Sequence, residues 1–131
     1  MKRLFIVYAM IVMTFAASAQ NVTNSTATVD KTSEVARYRL YATNNMWTFL
    51  KLDTRNGRIW QVQWAFEDDK RFECVLSSTN LSHGENEVNG RFVLLPTTNN
   101  FNFIMIDQVK GNTYQMQWSQ EPEKRIIVPI E

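Results

Sequence analysis

Residues 38–76, YRLYATNNMWTFLKLDTRNGRIWQVQWAFEDDKRFECVL, align without a gap on residues 92–130, FVLLPTTNNFNFIMIDQVKGNTYQMQWSQEPEKRIIVPI. The offset of 54 superposes twelve identical residues in 39 positions, among them Leu40/Leu94, Thr43/Thr97, Asn45/Asn99, Phe49/Phe103, Asp53/Asp107, Gly57/Gly111, Gln61/Gln115, Gln63/Gln117 and Trp64/Trp118. Three aromatic pairs, Tyr38/Phe92, Trp47/Phe101 and Trp60/Tyr114, reinforce the match. Self-similarity at a fixed spacing is the mark of a duplicated structural unit. The chain is therefore read as two copies of one motif, joined by a linker that contains residues 81–87, LSHGENE.

Each copy is predicted to form four strands, in the first at about residues 37–42, 46–53, 58–65 and 71–77. In the third strand Trp60, Val62 and Trp64 alternate with Gln61 and Gln63, and the second copy repeats this as Tyr114, Met116 and Trp118 against Gln115 and Gln117. The aromatic set is expected to face the core and the glutamines to face solvent. The second strand is apolar on both sides, Phe49 opposing Leu50 and Phe103 opposing Ile104, so it is expected to be the most buried strand of each copy. Strand four alternates Phe72, Cys74 and Leu76 against Arg71 and Glu73; the offset puts Val128 at the place of Cys74, which marks this single cysteine as a small core residue. Gly57 and Gly111 supply the positive φ that closes the loop between strands two and three, while Asp53 and Asp107 can accept backbone N–H bonds from that loop. No amphipathic helical window is found after the first 20 residues. The expectation is an all-β domain over residues 37–131: eight antiparallel strands in two four-stranded meanders, forming a barrel or a sandwich with pseudo-twofold symmetry.

At the N-terminus, Lys2 and Arg3 precede an apolar stretch from Leu4 to Ala17 that ends in Ala17-Ser18-Ala19. This reads as a signal peptide over residues 1–19, cleaved between Ala19 and Gln20, and implies a periplasmic or secreted protein with no membrane insertion after cleavage. Residues 20–36 lack aromatics and are rich in Ser, Thr and Asn, the composition of a disordered tether. The whole chain carries a formal charge of +1, and losing Lys2 and Arg3 leaves −1, so there is no basic footprint for nucleic acid. A single Cys excludes an internal disulfide, and one His with one Cys makes a zinc site of the usual kind untenable. No metal or cofactor is expected.

Candidate sites are few. Asp53 and Asp107 recur in the same hairpin of both copies, which favours turn capping over catalysis. Glu67-Asp68-Asp69 answers to Glu121-Pro122-Glu123, and neither has calcium-loop spacing, so both read as solvated hairpin tips. His83 sits in a polar linker that does not supply the rigid geometry a catalytic triad needs. Asn80 lies in a glycosylation sequon, as do Asn21 and Asn24, a signal that carries no weight without a glycosylating host. The remaining constellation is an amide and aromatic face, made of Asn45, Trp47, Gln61 and Gln63 with Asn99, Phe101, Gln115 and Gln117, suited to binding a macromolecule.

The run YRLxxTxNMWTFLKLDTRNGRIWQVQW over residues 38–64 resembles a motif of small exported proteins of gut Bacteroidetes, which share a signal peptide and a duplicated T-x-N…LDT-x-x-G…WQVQ unit and have no assigned catalytic residues. The resemblance covers nearly all of the chain after the signal. Copy two departs from it at Asn100, Asn102 and Val109, which replace Met46, Thr48 and Arg55. The L-D-T-x-x-G-x-x-W element is also similar to the hairpin of quinoprotein-type propeller blades; because two blades cannot close a propeller, it reads as shared turn chemistry.

The functional expectation is a non-enzymatic exported binding protein, most concretely a periplasmic inhibitor or immunity protein that binds a toxin or hydrolase. Other readings are a carbohydrate-binding module that uses Trp47 and the glutamines, a small hydrolase that uses Asp53 or the acidic loop, and a self-assembling surface protein whose open sheet edges pair between chains.

Overall fold

The computed structural model describes residues 36–131. The signal segment 1–19, its cleavage position, Asn21, Asn24 and nearly all of the 20–36 tether lie outside the described residues.

Eight strands follow in chain order: β1 (Tyr38–Ala42), β2 (Thr48–Asp53), β3 (Ile59–Gln63), β4 (Phe72–Ser77), β5 (Phe92–Pro96), β6 (Asn102–Asp107), β7 (Thr113–Gln117) and β8 (Ile126–Ile130). They form two separate antiparallel meanders, β1-β2-β3-β4 and β5-β6-β7-β8. The duplication extends to the register: Tyr38 faces Asp53 as Phe92 faces Asp107, and Leu50 faces Gln61 as Ile104 faces Gln115. Neither sheet closes on itself, so the architecture is a two-sheet sandwich and not a barrel. β2 is the most enclosed strand of the first sheet, with Thr48, Leu50, Leu52 and Asp53 all buried.

The core lies between the sheets. Leu50, Leu52 and Ile59 of the first meet Phe92, Leu94, Phe103, Met105, Met116 and Trp118 of the second, with Tyr41, Leu76 and Ile127 packed around them. Strand alternation makes this arrangement informative, because side chains of i and i+2 share a face and those of i and i+1 do not. The first sheet buries the side that carries Leu50, Leu52 and Gln61. The equivalent residues of the second sheet are Ile104, Ile106 and Gln115, and they point away from the core. The second sheet instead buries Phe103, Met105, Met116 and Trp118, whose counterparts Phe49, Lys51, Val62 and Trp64 lie on the outer side of the first.

Two sequence expectations are thereby corrected. A pseudo-twofold sandwich would bury the same face of both copies, whereas here unlike faces meet, a heterologous head-to-tail stack. Trp60, Val62 and Trp64 therefore stand on the outside of the first sheet, and Gln61 is in the core. The reading of Tyr114, Met116 and Trp118 as inward holds for the second sheet. Cys74 pairs across β3 and β4 with Gln61, so it shares the inner side and is half-buried.

At the end of the sandwich bearing the β2–β3 and β6–β7 turns, each copy anchors its hairpin on an aspartate. Gly57 and Gly111 adopt φ of 81° and 78°, and their N–H groups donate to the carbonyls of Asp53 and Asp107 at 2.9 and 2.7 Å. The Asp53 carboxylate accepts the N–H of Arg55 and the Asn56 amide; that of Asp107 accepts the N–H groups of Val109 and Lys110. The linker between the copies wraps the first of these hairpins: the N–H of Leu81 donates to the Asn56 carbonyl at 2.8 Å, and Arg55 Nε donates to Asn89 Oδ1 at 2.7 Å.

Candidate functional site

At the opposite end, the β1–β2 and β3–β4 turns come together, and their equivalents do so in the second sheet. Asn45 and Asn99 are consumed in building the first kind of turn. Their side-chain oxygens accept the N–H of Trp47 and of Phe101, each at 2.9 Å, while Thr43 and Thr97 brace the same loop. Gln63 and Gln117 hold the second kind, donating to the carbonyls of Lys70 and Lys124 at 3.2 and 3.0 Å. These carbonyls belong to short 3₁₀ turns, Asp68–Lys70 and Pro122–Lys124, with exposed acidic residues paired to Lys and Arg three residues on. The acidic tips are solvated, as their spacing suggested.

The eight-residue amide and aromatic face thus does not form one surface. Gln61 is buried, its Oε1 accepting the N–H of Ser119 at 3.1 Å from the other sheet, while its Nε2 has no partner among the described residues. Gln115, its counterpart, is half-exposed on the outer side of the second sheet and donates to Asn102 Oδ1 at 2.9 Å. The physical reason is the head-to-tail packing, which covers a face in one copy and leaves the same face open in the other.

What the fold does assemble is an aromatic cluster at the tip of the first sheet. Trp47 lies against Trp64 with ring centroids 4.5 Å apart and a 45° tilt, and Phe66 stands edge-on to both at 5.9 and 5.6 Å. Trp64 Nε1 donates to the Met46 carbonyl at 2.8 Å, which fixes the indole and leaves its ring to the surface. Trp47 is half-buried, but Phe66 is 81% exposed and Met46 is 64% exposed. The three rings border a depression of about 340 Å³ with Gln63, Glu67 and Lys70 on its polar side. The offset reproduces this depression in the second copy, at about 320 Å³, bordered by Phe101, Trp118, Gln120, Glu121 and Lys124. There the aromatic content is lower: Gln120 replaces Phe66, and Trp118 is enclosed.

From the cluster, an apolar strip runs along the outer side of the first sheet through Val62, Trp60, Leu40 and Val75. Lys51 and Glu73 form an ion pair across it, and Lys51 Nζ lies 4.8 Å from the centre of the Trp60 ring. Tyr38 packs edge-on against Trp60 at 6.3 Å.

The carboxylates that first invite a catalytic reading are engaged elsewhere. Arg37 Nη2 donates to Asp53 Oδ2 and Arg91 Nη2 to Asp107 Oδ2, both at 2.8 Å, with Nε of each arginine completing a second contact. Burial alone would push the Asp107 carboxyl up. The Arg91 hydrogen bond, the N–H groups of Lys110 and Val109 and the Arg91 charge outweigh it and hold the carboxyl below the ordinary carboxylate range. Arg91 also donates to the Glu85 carbonyl, tying the linker to this pair. Among the described residues no group of His, Cys, Asp and Glu is placed to hold a metal ion, and no helix is long and apolar enough to cross a membrane.

Sequence reasoning missed two features. Arg37 and Arg91 also obey the 54-residue offset, one position before the aligned stretch began, and Arg–Asp pairing could have been read from that identity. Phe66 is an aromatic with no aromatic counterpart in an otherwise polar loop, which is the signal of a side chain kept for contact and not for the core.

Comparison of the chain with protein-family models, with curated proteins and with solved structures returned no match.

Proposed function

We propose that the chain is a non-enzymatic protein-binding domain, and that it binds through the outer side of the first sheet together with Trp47, Trp64 and Phe66. The observation that carries this reading is Phe66, held 81% exposed beside two tryptophans at the end of an apolar strip. Rigid aromatic anchors of this kind carry a disproportionate share of protein–protein binding energy, and large apolar patches are rare on the surface of monomeric proteins. The pairing of Asp53 and Asp107 with arginines supports the non-enzymatic part.

The most concrete form is an exported inhibitor or immunity protein whose partner is a toxin or hydrolase. A protein partner suits the cluster better than a sugar does, because no two of the three rings are coplanar and a sugar ring stacks on a flat open platform. The test is capture of partners by the C-terminally tagged chain from periplasm and culture fluid, read by mass spectrometry. Capture of one stoichiometric protein, weakened about 30-fold or more in Phe66→Ala and unchanged in Gln120→Ala, is the expected result. Binding on a glycan array with no protein captured would overturn it in favour of carbohydrate recognition. Protection of sensitive cells by the exported chain checks the immunity form.

A further inference from the structure

We infer that the protein which fits this surface is a second copy of the same chain, stacked head to tail, the outer side of the first sheet of one copy on the outer side of the second sheet of the next. This rests on the protein-binding reading above, and it puts the chain itself on that side in place of the toxin or hydrolase of the immunity form.

The chain already contains one such interface. Applying the 54-residue offset to the buried side of the second sheet yields the outer side of the first, and the exposures show what is uncovered there. Phe92 is 0% exposed and its counterpart Tyr38 is 50%; Leu94 is 2% and Leu40 is 64%; Trp118 is 2% and Trp64 is 37%. Applying the same offset to the buried side of the first sheet yields the outer side of the second. Leu50, Leu52 and Gln61 are fully buried, whereas Ile104, Ile106 and Gln115 are only partly covered, beside an exposed Val128. Each chain thus presents on its two outer sides the two halves of the interface that it buries within.

The polar ties of the internal interface carry over as well. Within the chain, Phe92 N–H donates to the Thr54 carbonyl at 2.9 Å and Ser119 N–H to Gln61 Oε1 at 3.1 Å. Between chains the equivalent bonds run from Tyr38 N–H to the Gln108 carbonyl and from Ala65 N–H to Gln115 Oε1 of the neighbour. The pattern is not complete: Thr113 stands where the first sheet buries Ile59. The Lys51–Glu73 pair stands where the second sheet has Met105 and Ile127, so the contact between chains carries a mutually neutralised ion pair and is the weaker of the two. The chain's own residues 20–35 do not suit either face, since Val is their only large apolar residue type.

A heterologous interface closes into a ring when its rotation allows and otherwise extends as a fibre. Radial stacks of four-stranded sheets close at about four to eight sheets, which here means about two to four chains.

The experiment is sedimentation velocity on the full chain, and on Leu40→Glu and Ile104→Glu, over a range of concentrations. Oligomers of wild type are expected, and each substitution alone should weaken association at least about tenfold. An equimolar mixture of the two variants keeps one intact face on each chain and should give a one-to-one dimer that grows no further. Val128→Glu replaces Ile104→Glu if circular dichroism shows that variant misfolded. A monomeric wild type at every concentration overturns the inference, as does loss of association in Leu40→Glu alone, which is the mark of a symmetric interface. A monomer that still captures a different protein through Phe66 overturns only this inference; a monomer that captures none overturns the protein-binding reading as well.

Discussion

The side-chain oxygen of Gln61 accepts the backbone N–H of Ser119 at 3.1 Å, joining the two sheets through the core, while Gln115, its repeat equivalent, donates to Asn102 of its own sheet. One residue type at one position of a duplicated motif thus has two different environments. Removing Gln61 strands the Ser119 N–H in a buried site, a loss of about 1–3 kcal/mol. Gln61→Ala should therefore destabilise by about that amount in urea denaturation, whereas Gln115→Ala in dilute solution should change stability by about 0.5 kcal/mol or less.

The arginine–aspartate pairs offer a second comparison. Arg91 and Asp107 are both enclosed, whereas the Arg37 side chain is 41% exposed. Arg91→Met leaves a buried carboxylate without its counter-charge, at a cost of about 3–5 kcal/mol. Arg37→Met should cost distinctly less, because water reaches the pair and Asp53 keeps its bonds from Arg55 and Asn56. Chemical denaturation of both variants measures the difference.

Acid sensitivity follows from Asp107. Its carboxyl titrates lower in the folded protein than in the unfolded chain, so the unfolded state binds the proton more readily. The associated stability is fully present above the ordinary carboxylate range, about pH 4 and higher, and is lost as pH falls from there through the folded value. Melting temperature should fall on acidification across this window in wild type. Asp107→Asn should be less stable at neutral pH and show a flatter acid limb. An equally steep acid limb in Asp107→Asn would assign the effect to other carboxylates.

The two turn glycines separate conformational strain from steric room. Both have positive φ, so alanine is strained at either place. A Cβ at Gly57 would lie 3.0 Å from Leu81 Cδ1, whereas one at Gly111 meets nothing within 4 Å among the described residues. Gly111→Ala should cost about 1–2 kcal/mol, the left-handed penalty alone. Gly57→Ala should cost more, because Leu81 is pressed from its place beside the core. Thermal melts of the two variants check the order.

The strands, their order within each copy and the hairpin chemistry of Asp53 and Gly57 were legible in the sequence, because each is written in a local pattern: alternation, turn residues and the offset of 54. The anchoring roles of Gln63 and Gln117 were not, since a side chain's bond to a backbone carbonyl seven residues away leaves no mark in periodicity; those of Asn45 and Asn99 are local, each accepting the N–H two residues on, yet the same side chains also read as a binding face. The aromatic cluster was half legible. The pattern marks Trp47 as a surface aromatic, but its alternation places Trp64 in the core and gives Phe66 no role, because the outward turn of the first sheet decides both.

Sequence alone determined that the chain is a duplicated all-β unit, since strand propensity, turn closure and repetition are all local properties. Only the tertiary structure decided which side of each sheet is buried. β2 is apolar on both sides, with Phe49 opposed to Leu50, so alternation does not choose between them. The choice is made by the partner sheet, and when two like sheets stack head to tail there is one interface for two pairs of faces. One copy must bury the side that the other leaves open.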